Sequence, residues 1–468
     1  MGASTDHALG RNLRFFVKEE AAAGGAYGTS GQEALAGANA AKVLSASMEF
    51  TVARNDRTDS RTSRSVLERI TGKQEVSWSC ESYLLPRGTK EPPNASPLIQ
   101  AALGRGPTTT TAIQATITAA TQASSAVITF GGGHSFQVND QVYFENVVGM
   151  TQLNGNQYKV TVVSTNDVTF DVNSSSFGAW GAGGSNHGSL LSFTLSDSNA
   201  LPTVHMMRTA NDVLREDLFG CYVEDMNITA SGGEEPKISF SGGAFNYALT
   251  GSGATEGTGS SATSLITESG QGVNFMVGSV ISFNSLADKI VTAKSTDTLT
   301  IASSSWSDAQ AITPTTYTET TAGNPVNGIS GSLVLNSVTL PVTSFDVTVT
   351  NGLKALSDEA FEKGTSDFVA GYRSVKGNIS VRARKDFIKS LTQRYVQTTA
   401  TADPTFSSVA LVVTMGGVSG KKVVATLSKI ELDFAGIDVP EAEEAILSLP
   451  FTALGTSGSD ELTLAWNQ

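Results

Sequence analysis

Charge is scarce in this chain. Of 468 residues only 16% are Asp, Glu, Lys or Arg, and the balance is acidic, −13 at pH 7. A general nucleic-acid binder needs clustered cations to meet phosphates, so that class is disfavoured. A surface past which nucleic acid slides without sticking remains open, because an acidic wall repels phosphate over roughly 8 Å at physiological salt. Long apolar runs are missing too. None reaches the length needed to cross a bilayer, and the N-terminus has no signal-peptide core, so the expectation is a soluble protein made in a cytosol. The only cysteines, Cys80 and Cys221, lie far apart in expected strands. In a reducing compartment they read as buried thiols rather than a disulfide or metal pair.

Catalytic spacings are missing as well. The four histidines, His7, His134, His187 and His205, form no H-E-x-x-H and have no C-x-x-C partner. No G-x-S-x-G elbow sits between a strand and a helix. Gly131-Gly132-Gly133 lacks the lysine and helix of a phosphate loop, and His134 after it reads as a turn residue. Two acidic stretches lack the alternation of a calcium loop: Asp438, Glu441, Glu443 and Glu444 around Pro440, and Gly232-Gly233-Glu234-Glu235. Both read as solvated hairpin tips. No residue supports an enzyme assignment, a cofactor or a metal.

What the chain has in quantity is turn and strand residues, with 46 glycines and many Thr, Ser and Val. These describe a mainly β protein, and the β pattern occurs twice. Strand Ser47–Ala53 enters a long polar loop ending at Thr71-Gly72-Lys73, and the alternating segment Glu75–Leu84 follows. Later, Ser344–Thr350 enters a loop ending at Val375-Lys376-Gly377, followed by Asn378–Arg384. Each copy closes with a strand pair: Cys221–Thr229 with Lys237–Ala248, and Lys422–Phe434 with Glu443–Leu454. A duplicated β-unit without catalytic residues points to architecture before chemistry. A short helix, Pro97–Leu103, has Ser96 as an expected N-cap and Gly104 as its stop; its counterpart is Asp386–Val396, with Phe387, Ile388, Leu391 and Tyr395 on one face.

Two further segments have their own logic. Thr108–Ser185 contains a strand Ala126–Phe130, a turn and second strand over His134–Phe144, and strands Tyr158–Val163 and Val168–Val172, with Asn154-Gly155 as a hairpin signal. Asn274–Phe283 repeats Ser135–Phe144 almost position for position, and Ile290–Ile301 repeats Val160–Val172. The expected division is therefore 1–107 with 186–250 as a first, discontinuous unit and 108–185 as an inserted β-module. A second small module with its linkers follows at 251–324, and the second unit is 325–468. The modules are expected to hang outside the main sheets.

Against this acidic background one stretch is basic. Arg54, Arg57, Arg61, Arg64, Arg69 and Lys73 occupy the loop between the first paired strands, interleaved with Asp56, Asp59 and Glu68. Mixed signs and no aromatics disfavour a nucleic-acid arm. A solvated loop and an arm that docks on an acidic neighbouring copy are the other readings, and the second is the physically economical one. The loop Asn351–Lys376 is nearer charge balance, so the two arms are expected to reach different partners.

The order of strand, long loop, paired strand ending Glu81-Ser82-Tyr83-Leu84-Leu85-Pro86, helix and closing strands resembles the major tail tube proteins of bacteriophages with long, non-contractile tails. The likeness covers roughly 11–105, 187–250 and 328–456 and is nearest the T5-like type, with two tube units per chain. The inserts are similar to small FCCH-like β-modules of phage structural proteins. The resemblance implies two tandem β-sandwich or barrel units, each flanked by a helix, that assemble into stacked trimeric, pseudo-hexameric rings. These rings would form the hollow tail tube of a virion, made in the host bacterial cytoplasm. It implies partners in other copies of the chain and in tape measure, tail terminator and tail tip proteins, with DNA passing through the lumen unbound. An acidic lumen and exterior modules are further expectations. The alternatives are a virion surface adhesin or carbohydrate-binding β-protein, for which Tyr143, Tyr158 and Trp180 are thin support, and a polysaccharide-degrading phage enzyme, for which no carboxylate pair stands out. On the leading reading, replacing Arg57, Arg61 and Arg64 by Glu weakens ring stacking. Unchanged tube length and yield in electron micrographs would count against the docking arm.

Overall fold

A computed structural model describes residues 13–21, 35–56, 68–86, 92–109, 116–132, 134, 136, 138, 141–154, 156–188, 191–210, 213–320, 323–356, 364–365, 367–382, 409–417, 422–433, 437–438, 445–455 and 458–466. The protein is mainly β, built from several antiparallel sheets, and Ser96–Leu103 is the one α-helix among the described residues. The expected helix 386–396 lies outside them.

The largest sheet has 18 strands. Within it, four strands lie in the order Ser45–Asn55, Ile70–Tyr83, Lys237–Gly243 and Leu214–Ser231. Four more follow the same logic: Val342–Thr350, Ser374–Arg382, Ile446–Ala453 and Val423–Leu432. In each set the last strand continues into a second layer. Leu214–Phe219 pairs with Val204–Ala210 and Asn246–Thr250, just as Val423–Ile430 pairs with Val409–Met415 and Thr463–Trp466. The strand ordering therefore follows the sequence duplication.

Alternation explains why each set has one wet face and one dry face. In Ile70–Tyr83, Val76, Trp78 and Cys80 are buried, whereas Ser77 and Ser79 are exposed. In Val342–Thr350 the buried residues are Phe345, Val347 and Val349. The dry faces merge into one hydrophobic core spanning both halves. Gly377 is required there: a β-carbon would sit 2.5 Å from the Phe451 ring, which stacks on Phe345. Both thiols are buried and unpaired, and burial pushes Cys80 up to about 12.

The helix lies over the first half. Ala95, not Ser96, is its N-cap residue, because the preceding turn Pro93–Ser96 brings Ser96 and Pro97 into the first turn; Gly104 ends it with φ of 76°. The Asn154-Gly155 hairpin is also corrected. Gln141–Glu145 pairs with Gln157–Val163 across a longer connection containing the 3-10 turn Thr151–Leu153. Asn154 holds that connection shut, its side chain accepting from Val147 N–H (2.8 Å) and donating to Val147 O (2.9 Å).

Two smaller β-bodies have their own cores. Phe136, Val142, Phe144, Val160, Val168 and Phe170 fill the first. Phe275, Ile281, Phe283, Val291, Leu299 and Ile301, their sequence counterparts, fill the second. The first body is one six-stranded sheet, and the second divides into four- and three-stranded sheets. The second body's exit is fixed by buried charge. Arg215 sends Nε and Nη2 to the two oxygens of Asp217 (2.7 and 2.8 Å) and Nη1 to the Thr315 carbonyl (2.9 Å). His205 Nε2 lies 3.0 Å from the same carboxylate. Burial would raise the Asp217 carboxyl, but the Arg215 charge and these hydrogen bonds outweigh it and hold it below the usual range.

Removing Arg215 strands a buried anion. Arg215→Met is expected to cost about 3–5 kcal/mol in denaturant unfolding, and adding Asp217→Leu should recover most of it. Because the carboxyl is depressed in the fold, the pair's contribution persists above the ordinary carboxylate range and is lost as pH falls through the lower folded value. An acid-insensitive Arg215→Met deficit would contradict that assignment.

Candidate assembly interface

The two four-stranded sets join edge to edge. Asp225–Ser231 pairs antiparallel with Ser344–Thr350, in a register running from Asp225↔Thr350 to Ser231↔Ser344. Side chains reinforce the seam: Thr350 Oγ1 donates to Asp225 Oδ1 (2.6 Å). Buried Asn351 donates to the Ala102 carbonyl at the helix end (2.9 Å) and to the Val223 carbonyl (3.0 Å). Nearby, Arg373 reaches Ser196 O (2.6 Å) and Glu461 (2.9 Å), and Leu191–Thr194 pairs with Thr463–Trp466. The first half is thereby locked to the second by backbone pairing, with polar clamps at one end of the seam.

Neither flank of this eight-stranded array pairs with a further strand among the described residues, and on the first flank the Ala46 carbonyl accepts from Arg208 Nη1 (2.9 Å). Ser45–Asn55 pairs with Ile70–Tyr83 alone. At the other flank, Ile437–Asp438 pairs only with Ile446–Leu447. The register places Ile437 and Asp438 where Met226 and Asn227 stand in the first set, since Met226↔Phe240 and Asn227↔Ser239 match Ile437↔Leu447 and Asp438↔Ile446.

The wet face carries Glu49, Glu75, Glu81, Asp225, Asp346, Glu431 and Asp438 against Lys73, Lys237, Lys376 and Arg382, a net excess of carboxylate. Between these charges lie mostly Ser, Thr and Asn. Partial burial raises the Asp346 carboxyl, partly offset by a hydrogen bond from the Asn378 backbone N–H. Burial, then the neighbouring Asp225, raises Glu224.

The basic arm is only partly within the described residues: Arg57, Arg61 and Arg64 lie outside them. Arg54 and Lys73 are not in a loop. The strand begins at Ile70, earlier than expected, because Arg54↔Thr71 and Asn55↔Ile70 extend the hairpin past a bulge at Val52/Arg54. Arg69 pairs with Asp56 at 2.7 Å where both are exposed, a contact worth little on its own. The second arm is likewise more ordered than a loop, with Leu353–Leu356 paired to Asp367–Ala370. The signal for both stems was the alternation continuing beyond the apolar residues, which polarity concealed.

Comparison with known families adds one finding. Residues 124–187 match the ubiquitin-activating enzyme E1 FCCH domain. The match covers most of the first small β-body and extends no further. No curated protein matches the chain.

The raised Asp346 carboxyl fixes a sign. Its proton is held more tightly in the fold than in the unfolded chain, so its contribution is most favourable below the ordinary carboxylate range and declines as pH rises through the folded value. Asp346→Asn should therefore gain stability relative to the parent at neutral pH and lose that advantage in mild acid. Parallel denaturation midpoints that do not converge would reject it.

Proposed function

We propose that this chain is a structural virion protein that self-assembles into rings stacked as the tail tube of a long-tailed, non-contractile bacteriophage. The observation that carries the reading is the internal seam. The last strand of the first set pairs with the first strand of the second, and the outer flanks are another first strand, Ser45–Asn55, and another last strand, ending at Ile437–Asp438. Repeating the same pairing between chains consumes both flanks. Such a head-to-tail contact closes into a ring if its rotation permits, and closure removes the exposed edges that otherwise invite aggregation. Three chains, each bringing two sets, give the pseudo-hexameric ring the resemblance implies. The strands would then form a continuous barrel.

The wet face suits the lumen of such a barrel. Its carboxylate excess repels phosphate, and its small hydroxyl side chains offer bases no stacking platform, so DNA passes unbound. The small β-bodies, including the FCCH-like segment, lie on separate sheets and decorate the exterior. Tape measure, tail terminator and tail tip proteins are the partners this role requires.

The seam supplies the register to test. Asn227 faces Thr348, whose sequence counterpart is Thr51, and Asp438 stands where Asn227 does. A Thr51→Cys, Asp438→Cys variant should form interchain disulfides under mild oxidation, giving a ladder that ends at the trimer, with hollow rings or tubes in negative-stain micrographs. Monomers that stay uncrosslinked at high concentration while both thiols remain reactive would overturn the proposal.

A further inference from the structure

Because every strand of the eight-stranded array is antiparallel to its neighbours, its connections fall at two opposite ends. One end carries the stem of the first hairpin, where Arg54 and Asn55 face Thr71 and Ile70. Ile70 is 56% exposed there, flanked by exposed Arg69 and Arg54 and by Lys73. The opposite end carries the turn Gly232–Glu235, between Leu214–Ser231 and Lys237–Gly243. Glu234 and Glu235 are exposed, and Gly233 has φ of 88° with open space around its α-carbon. Beside that turn lies a cleft of about 190 Å³, lined by Glu234, Ile329, Leu333, Val342 and Phe345 among others. Ile329 on its rim is 79% exposed.

The two ends are complementary in kind. One presents an exposed isoleucine beside Arg54 and Lys73, with Arg69 already paired to Asp56, and the other an exposed isoleucine and apolar cleft beside Glu234 and Glu235, with Lys237 following the turn. They cannot meet within one chain, because the length of the strands separates them. We propose that the hairpin stem of one copy, formed by Arg54–Asp56 and Glu68–Lys73, docks on the Glu234–Glu235 turn and Ile329 cleft of a second copy in the adjacent ring. This rests on the ring reading and names the surface that receives the arm.

Each exposed ion pair is weak, because solvent and salt screen it. A closed ring presents the contact in every subunit at once, so weak pairs act together once the first has formed. Opposite charge at opposite ends also sets polarity: like ends repel, so rings add head to tail only. Burial of Ile70 and Ile329 supplies attraction that salt does not screen.

The test uses full-length chains with opposite charge reversals, Glu234→Lys with Glu235→Lys in one and Arg54→Glu with Lys73→Glu in the other. Ring formation is followed by mass photometry and tube length by negative-stain microscopy. Both variants should form rings yet stack at least tenfold less than the parent. Preformed rings of the two, mixed, should regain tubes, and parental tubes should shorten as salt is raised. Reversal variants that stack like the parent, or mixed rings that fail to recover, overturn the docking surface while leaving ring formation intact. A parent chain that forms no rings overturns both the docking and the reading on which it rests.

Discussion

The antiparallel pairing of Asp225–Ser231 with Ser344–Thr350 is the constraint on which the rest of the molecule depends. Without it each four-stranded set would have two open flanks and its own separate core. With it the dry faces fuse into a single core, and Asn351 can satisfy carbonyls on both the helix end and the long strand. Backbone pairing is well suited to this task because it is indifferent to side-chain chemistry but strict about register. A one-residue slip would turn Phe345, Val347 and Val349 to the wet face and Asp346 and Thr348 into the core. The buried rows on both sides therefore fix the seam as firmly as its hydrogen bonds do.

Much of the strand architecture was legible because it rests on period-two alternation. Glu75–Leu84 and Ser344–Thr350 announce a buried row and a wet row in their letters alone. The repeated Phe-x₅-Val/Ile-x-Phe spacing of the small β-bodies likewise marked Phe136, Val142 and Phe144, and Phe275, Ile281 and Phe283, as equivalent core residues. What alternation could not reveal was pairing between polar residues. The stem at Arg54, Thr71 and Lys73 continues a ladder without apolar side chains, and Leu353–Leu356 with Asp367–Ala370 forms a hairpin within a charge-balanced stretch. The Asn154-Gly155 signal failed for a different reason. A two-residue turn competes there with an Asn side chain that bonds the backbone seven residues earlier, and the side chain wins. Nor could spacing foresee the Arg215–Thr315 contact of the buried clamp, since its members stand 100 residues apart, on either side of the second small body.

Duplication within one chain has a further consequence for the proposed ring. An intramolecular seam forms at the high effective concentration set by its connection, whereas a seam between chains must collect its partner from solution. Fusing two sets makes alternate seams unconditional and leaves only the remainder to assembly. It also lets the two copies diverge. In a ring of identical single units every flank is equivalent; here the first set alone carries the strongly basic hairpin, while the second arm is nearer balance. That asymmetry repeats with threefold rather than sixfold spacing, so adjacent rings have fewer ways to stack in register. The cost is that one chain must bring two sheets and two appended bodies into place before any edge is protected. The buried clamp at Arg215 meets part of that demand within the chain, since one guanidinium on the first half holds both the Asp217 carboxylate and the Thr315 carbonyl at the exit of the second small body.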